Sequence, residues 1–176
     1  MSALPDAAAR VRAAADGDIA AIAAFAGELY TMHHGWDPKR FWDLGGGDPA
    51  RIAGRERFFR SQLLEPDTLL LVAEGADAVV GYAYASLEAH DYEHLLERAA
   101  WLHDLYVVPS ARGRGMAALL FKAACEWARA GGSPLLALNV AEANTRAQAF
   151  FARQGTRVTM REMILELPDP PEQGRP

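Results

Sequence analysis

A glycine-rich turn joins a strand-like run to a helix-like run, and it constrains the fold more than any other feature of the chain. Residues 101–108 read as a strand, residues 109–115 as a loop, and residues 116–130 as a helix with one apolar and one polar face. A strand that delivers such a turn to a helix gathers unpaired N–H groups at the positive end of the helix dipole. The turn therefore predicts an anion site, most plausibly for phosphate.

Two common phosphate-loop templates fit this turn poorly. A Walker loop is excluded because the chain has no G-x-x-x-x-G-K-[ST]. Residues 113–118 satisfy G-x-G-x-x-G/A, but a dinucleotide fold needs an acidic ribose ligand about 20 residues further on and more parallel strands after it. The nearest acid after the next strand is Glu142, and only one helix and one strand follow it.

The order of elements predicts an α+β or mixed α/β fold. Residues 9–14 suggest a short edge strand, and the spacing of Ile19, Ile22, Ala23, Ala26 and Leu29 predicts a core-facing helix. A second helix is expected over 52–64, a hairpin over 68–73 and 78–87, and a strand over 135–140. Asn144 then caps a helix that Gly155 ends, and a last strand is expected over 157–167.

The turn and its surroundings resemble the GCN5-related N-acetyltransferase superfamily. The family signature is Arg or Gln, two residues, Gly, one residue, and Gly or Ala, and it reads here as Arg112 to Ala117. Leu-Tyr-Val-x-Pro precedes it, and Asn144 opens a similar second cofactor-side helix. The resemblance implies a six- to seven-stranded mixed sheet flanked by about four helices, in a single domain over 1–167. Residues 168–176 are proline-rich and polar, and we expect a flexible tail there.

The resemblance also implies direct acetyl transfer from acetyl-CoA to an amine. The thioester and pantetheine would lie along Leu105, Tyr106 and Val107, whose N–H groups can hold the developing oxyanion. Asn144 would reach the pantetheine, and Phe151 would pack beside the thiol. The pyrophosphate would sit on seven consecutive residues of the turn and first helical turn: Arg112, Gly113, Arg114, Gly115, Met116, Ala117 and Ala118.

Two titratable residues stand where the attacking amine would need a base. His103 and Asp104 directly precede Leu105, and diamine-acetylating members of the family carry two acidic residues there. Strand alternation sends neighbouring side chains to opposite faces unless a bulge intervenes. We favour His103, since its unperturbed pKa of about 6.5 suits proton transfer near neutrality, and which of the two faces the substrate stays open.

Phe151 occupies the place where many family members carry a tyrosine, the presumed acid for the leaving thiolate. Tyr106, Tyr82, Tyr84 or water can take that role, and the sequence does not choose among them. A thiol with a pKa of about 8.5 is already a fair leaving group. The alternative function is a noncatalytic acyl-CoA-binding regulatory module on the same fold.

Charge and composition limit the remaining classes. The formal net charge is −5, which disfavours nucleic acid and mildly favours a cationic acceptor, either a small molecule or a peptide amine. Cys125, the single cysteine, has no nucleophile signature around it, and His90 and His94 have no identifiable third ligand, so we expect no metal. No signal peptide or membrane span is apparent, so we expect a cytoplasmic protein. The oligomeric state stays open, a homodimer included.

Overall fold

The computed structural model describes residues 10–76, 78–90 and 94–167. Within them, five strands and four α-helices follow one another in the order expected from the sequence as far as the last helix. The strands are β1 (Arg10–Ala13), β2 (Thr68–Glu74), β3 (Val79–Glu88), β4 (Ala99–Val107) and β5 (Leu136–Leu138). The helices are α1 (Ile19–Trp36), α2 (Pro49–Gln62), α3 (Met116–Ala130) and α4 (Thr145–Arg153).

The sheet runs in the order β1-β2-β3-β4-β5. The first four strands pair antiparallel, because short connections join β2 to β3 and β3 to β4. The chain crosses from β4 through α3 to β5, and β5 therefore pairs parallel with β4. That parallel pairing covers only Ala100, Trp101 and Leu102 of β4. The carboxyl-terminal part of β4 extends beyond it.

The core lies between α1, α2 and one face of the sheet. Ile19, Ile22 and Ala26 of α1 are fully buried, as their spacing predicted, and they pack in one cluster with Phe59 of α2 and Tyr82 of β3. Asp48 begins α2 by accepting a hydrogen bond from the Arg51 N–H at 3.0 Å. Among the described residues, no helix is both long enough and apolar enough to cross a membrane.

The expectation of six to seven strands is wrong for this structure, since the mixed sheet formed by the described residues has five. The predicted last strand accounts for part of the difference, because residues 157–167 adopt no regular secondary structure. Their apolar side chains are predominantly exposed; Met163, for example, is 91% exposed. Alternating apolar residues favour an extended backbone, but a strand also requires a neighbouring strand whose backbone groups complete the ladder.

The described residues divide into two compact units between Ala143 and Asn144. The single domain over 1–167 therefore stays a prediction, and the expected tail over 168–176 lies outside the described residues. In the second unit, the Asn144 side chain accepts a hydrogen bond from the Ala147 N–H at 3.1 Å and so caps α4. Gly155, with φ +91°, follows the last turn, and both cap predictions are confirmed.

Candidate functional site

A β-bulge in β4 brings His103 and Asp104 to the same face of the sheet. Tyr84 of β3 pairs with Asp104, whereas Ala85 pairs with Leu102, so His103 is the extra residue. The Tyr82 hydroxyl donates to Asp104 Oδ2 at 2.8 Å, and the His103 ring stacks on Tyr84 at 5.0 Å. Because Tyr82 and Tyr84 lie on one face of β3, both candidate bases point to that face. Simple alternation would have separated them.

Asp104 is a partly buried carboxyl group. Burial raises its pKa to about 6, and the hydrogen bond from Tyr82 and the nearby His33 only partly oppose that shift. A carboxylate with this pKa is still predominantly ionised at pH 7. The site therefore holds a negative charge in a poorly solvated position, where it interacts strongly with a cation.

His103 lies nearer to solvent, with 37% of its side chain exposed. Its Nε2 lies 2.7 Å from Ser86 Oγ and 3.9 Å from Glu88 Oε1. Partial burial lowers the pKa of His103, and the negative charge of Glu88 offsets only part of that effect. The imidazole is therefore mainly neutral at pH 7 and able to accept a proton.

Two tyrosines that face this pair carry neutral hydroxyls. Burial raises the pKa values of Tyr82 and Tyr84, and the charge of Asp104 adds to both shifts. Their hydroxyl groups are already engaged, Tyr82 with Asp104 and Tyr84 with Gln62 Oε1 at 2.9 Å. Tyr82 therefore holds the Asp104 carboxyl group, and Tyr84 joins the sheet to α2.

The end of β4 offers a free backbone edge next to the bulge. Because β5 stops opposite Leu102, residues 105–107 have no strand partner on that side within the described chain. Alternate N–H groups of an antiparallel strand point away from its paired neighbour. Leu105, Tyr106 and Val107, the predicted thioester-binding residues, therefore present an edge that can donate hydrogen bonds to a carbonyl oxygen.

The glycine-rich turn has an open concave backbone. Gly113 and Gly115 have φ values of +81° and +84°, in the region that glycine tolerates best. A Cβ built on either glycine meets no atom within 4 Å. The first hydrogen bond of α3 runs from Leu119 N–H to Gly115 O, so the N–H groups of residues 116–118 are left for a ligand. This geometry fits a pyrophosphate.

The Arg112 side chain makes two contacts within the protein, and its predicted role at the phosphate stays a prediction. Its Nε donates to the Val107 carbonyl at 2.8 Å, and its guanidinium lies 5.6 Å from the centre of the Tyr106 ring. In this structure the Arg112 side chain thus packs against the end of β4 and binds its last carbonyl group. Arg114 is exposed at the turn and is better placed to contact an anion.

The other candidate residues lie on α4, in the second unit. The Asn144 oxygen is occupied by the helix cap, and the Phe151 ring packs at 5.0 Å from that of Phe150. Asp91 and Glu93, the two acids between His90 and His94, lie outside the described residues. His94 is described, and its ring lies 4.7 Å from that of Trp101.

A cavity of about 530 Å³ lies beside α1 and was not predicted from the sequence. It extends from the end of β4 to the connection between α1 and α2. The polar side chains in its wall are Glu28, Thr31, Arg55, Tyr106 and Arg112. The Tyr106 hydroxyl donates to Glu28, and burial together with that carboxylate raises the pKa of Tyr106 to about 12.

One signal in the sequence could have drawn attention to this cavity. Glu28 is the sole formally charged residue (Asp, Glu, Lys or Arg) in the α1 sequence IAAIAAFAGELYTMHHGW. An isolated acid in an otherwise apolar helix has a specific partner more often than a surface acid does. Arg55 gave no comparable signal, because it is one of four arginines in α2.

Comparison with known proteins identifies relatives across most of the chain. The model of the Acetyltransferase (GNAT) family matches residues 29–156. An aminoglycoside N(6′)-acetyltransferase type 1 of Salmonella typhimurium is 31% identical over 126 residues, covering 70% of this chain and 82% of the relative. An uncharacterized N-acetyltransferase, YhfO of Bacillus subtilis, is 27% identical over 106 residues, covering 59% of this chain and 68% of the relative.

Solved structures share the fold. The BH1408 protein of Bacillus halodurans, as a tetramutant, superposes with a TM-score of 0.76 at 20% identity, covering 90% of this chain and 99% of that one. The aminoglycoside N-acetyltransferase AAC(6′)-Iy, in complex with CoA, gives a TM-score of 0.66 at 21% identity over 94% and 99% of the two chains. With the family match over residues 29–156, these findings show that the chain belongs to the acetyltransferase (GNAT) family and is an acetyl-CoA-dependent acetyltransferase.

Proposed function

We propose that the protein acetylates a primary amine on a cationic acceptor, that the amine attacks the thioester of acetyl-CoA directly, and that His103 accepts its proton. The observation that carries this proposal is the β4 bulge. It sets a neutral imidazole and a buried carboxylate side by side, next to the free backbone edge of residues 105–107.

The acetyl donor fits along the end of β4 and the glycine-rich turn. The pyrophosphate would rest on the N–H groups of residues 113–118 with Arg114 beside it, and the thioester carbonyl would face the edge of Leu105 and Tyr106. Hydrogen bonds from that edge would polarise the carbonyl and stabilise the oxyanion as it forms. The roles of Asn144 and Phe151 at the pantetheine and the thiol stay predictions from the sequence.

The chemical step moves one acyl group and two protons. An alkylammonium with a pKa of about 10.4 first gives one proton to His103, because only the neutral amine has a free electron pair. That pair forms the C–N bond, the C–S bond breaks, and sulfur leaves with its electrons as a thiolate. The nitrogen then loses its second proton to solvent, and the thiolate needs no acid from Phe151 because its conjugate pKa is only about 8.5.

The charges around the site favour a cationic acceptor. Asp104 and Glu88 flank His103, and the formal net charge of the chain is −5. The cavity volume of about 530 Å³ lies within the usual range for small-molecule sites. The Salmonella typhimurium relative and one of the solved structures are aminoglycoside N-acetyltransferases. We therefore propose that the cavity binds the acceptor and that amino sugars and polyamines are the first compounds to test.

The pH dependence of kcat/KM tests the base assignment. Wild type, His103→Ala and Asp104→Asn are compared between pH 5 and 9 with kanamycin or spermidine as acceptor. We expect wild-type activity to fall below pH 6.5, and we expect His103→Ala to lose that acidic limb together with a factor of about 10² or more in rate. Asp104→Asn should keep the limb. A limb that persists in His103→Ala and disappears in Asp104→Asn would instead make Asp104 the base.

A further inference from the structure

Arg55 of α2 is a buried cation whose hydrogen-bond partners are all backbone carbonyls. Only 8% of the residue is exposed. Its Nε donates to Ala23 O in α1 at 2.9 Å, Nη1 donates to Leu44 O at 2.9 Å, and Nη2 donates to Gly46 O at 3.1 Å. One side chain therefore joins α2 to α1 and to the connection between them.

The packing around this guanidinium requires glycine in α1. A Cβ added to Gly27 would lie 2.7 Å from Arg55 Nη2 and 3.0 Å from its Cζ. The planar guanidinium presents its donors in a fixed fork, so it reaches three carbonyls with little further loss of freedom. A lysine ammonium at the same place would not span all three.

The connection held by Arg55, residues 43–47, lies against α1 by its backbone. A Cβ on Gly45 would lie 2.1 Å from Thr31 Oγ1 and 2.8 Å from the Gly27 carbonyl oxygen. The Gly46 N–H donates to Thr31 Oγ1 at 3.2 Å. Residues 43–47 are thus held by Arg55 and Thr31, and Arg51 of α2 adds a hydrogen bond to Gly45 O at 3.4 Å and an ion pair with Asp43 at 3.1 Å.

The same connection forms part of the cavity wall. Gly46 and Gly47 line the cavity together with Glu28 and Arg55 itself. We infer that Arg55 is a positioning residue that fixes residues 43–47 as the acceptor-facing wall and so determines how tightly the amine acceptor binds. This inference rests on the proposed use of the cavity by the acceptor.

Two variants disturb the wall independently. Arg55→Lys keeps the positive charge but loses the fork, and Gly45→Ala forces the connection away from Thr31 while the Arg55 side chain itself stays unchanged. Arg57→Met, an exposed position on the same helix, is the matched control. Steady-state kinetics with varied acceptor and varied acetyl-CoA are measured for each, together with hydrogen exchange of residues 43–47.

For both wall variants we expect the acceptor KM to rise about tenfold, because small displacements of a positioning element weaken substrate alignment. The KM for acetyl-CoA should change by less than about twofold, and residues 43–47 should exchange faster. Arg57→Met should match wild type. Faster exchange with an unchanged acceptor KM, or an equal rise in both KM values, would overturn the inference.

Failure of the proposed function gives a different result. If wild type acetylates no cationic amine, the acceptor role of the cavity is refuted together with the proposed function. Exchange rates of residues 43–47 in Arg55→Lys then decide alone whether Arg55 fixes the connection, and rates equal to those of wild type would refute that step as well.

Discussion

The buried charge of Asp104 makes the folded protein less stable at neutral pH. The place of Asp104 in the proposed site explains why this residue is there. Its pKa is about 6 in the folded protein against an ordinary value of 3.8, because burial disfavours the charged form. A raised pKa in the folded state means that its favourable contribution is complete below about pH 4 and is lost as pH rises through 6. A residue placed only for folding would not carry this penalty at neutral pH.

We predict that Asp104→Asn is more stable than wild type at pH 8, by up to about 3 kcal/mol, and equally stable below about pH 4. The asparagine oxygen still accepts the Tyr82 hydrogen bond and carries no charge to bury. Urea unfolding at several pH values measures the difference. Asp43→Asn is the contrasting control, because the exposed Asp43 has a lowered pKa through its Arg51 partner and should show a small effect of opposite sign. A stability gap that stays constant from pH 4 to pH 8 would contradict the burial argument.

Single residues were the least predictable part of the site. The sequence pointed to His103 and Asp104 by their position before Leu105, but strand alternation could not say that both face one side. The bulge that decides this depends on how β4 pairs with β3, which is a long-range property. The contact of Arg112 with the Val107 carbonyl could not be predicted for a related reason, since that carbonyl lies where β4 runs beyond β5.

At the scale of elements, the turn before α3 allows a direct test of the anion site. Gly115 and Gly132 both have positive φ, +84° and +77°, and neither has an atom within 4 Å of an added Cβ. They lie at opposite ends of α3. Because their φ values are similar, a valine at either position costs similar backbone strain.

We predict that Gly115→Val weakens acetyl-CoA binding at least about tenfold, because the added side chain fills the concave turn and keeps the phosphates from the N–H groups. Gly132→Val should lose similar thermal stability and keep its affinity for acetyl-CoA. Isothermal titration of both variants measures this. Equal affinities of the two variants for acetyl-CoA would contradict binding of the pyrophosphate at the turn.

Elements with local signals were predicted well. The apolar spacing of α1, the caps at Asn144 and Gly155, and the β2–β3 hairpin each depend on residues close together in sequence. Residues 157–167 were predicted wrongly as a strand. Their apolar pattern is typical of an extended chain but contains no information about a pairing partner. The fifth strand was predicted over six residues and spans three, Leu136–Leu138, for the same reason.

For the whole molecule, the family assignment accounts for the cosubstrate, and the site accounts for the chemistry. The α1–α2 layer carries the cavity, the bulged strand carries the two titratable groups, and the glycine-rich turn carries the proposed anion site. A noncatalytic acyl-CoA-binding module would need only the turn and the free edge of β4 to hold its ligand. The paired His103 and Asp104, kept at a cost in stability, are more consistent with a catalyst.

The most direct test is therefore acceptor-dependent release of the CoA thiol from acetyl-CoA. Purified protein is incubated with kanamycin, spermidine and a lysine-containing peptide in turn, and the product is examined by mass spectrometry. We predict thiol release that requires a cationic amine and a product heavier by one acetyl group. Tight binding of acetyl-CoA without turnover on any of these amines would contradict a catalytic role and leave a noncatalytic acyl-CoA-binding module in its place.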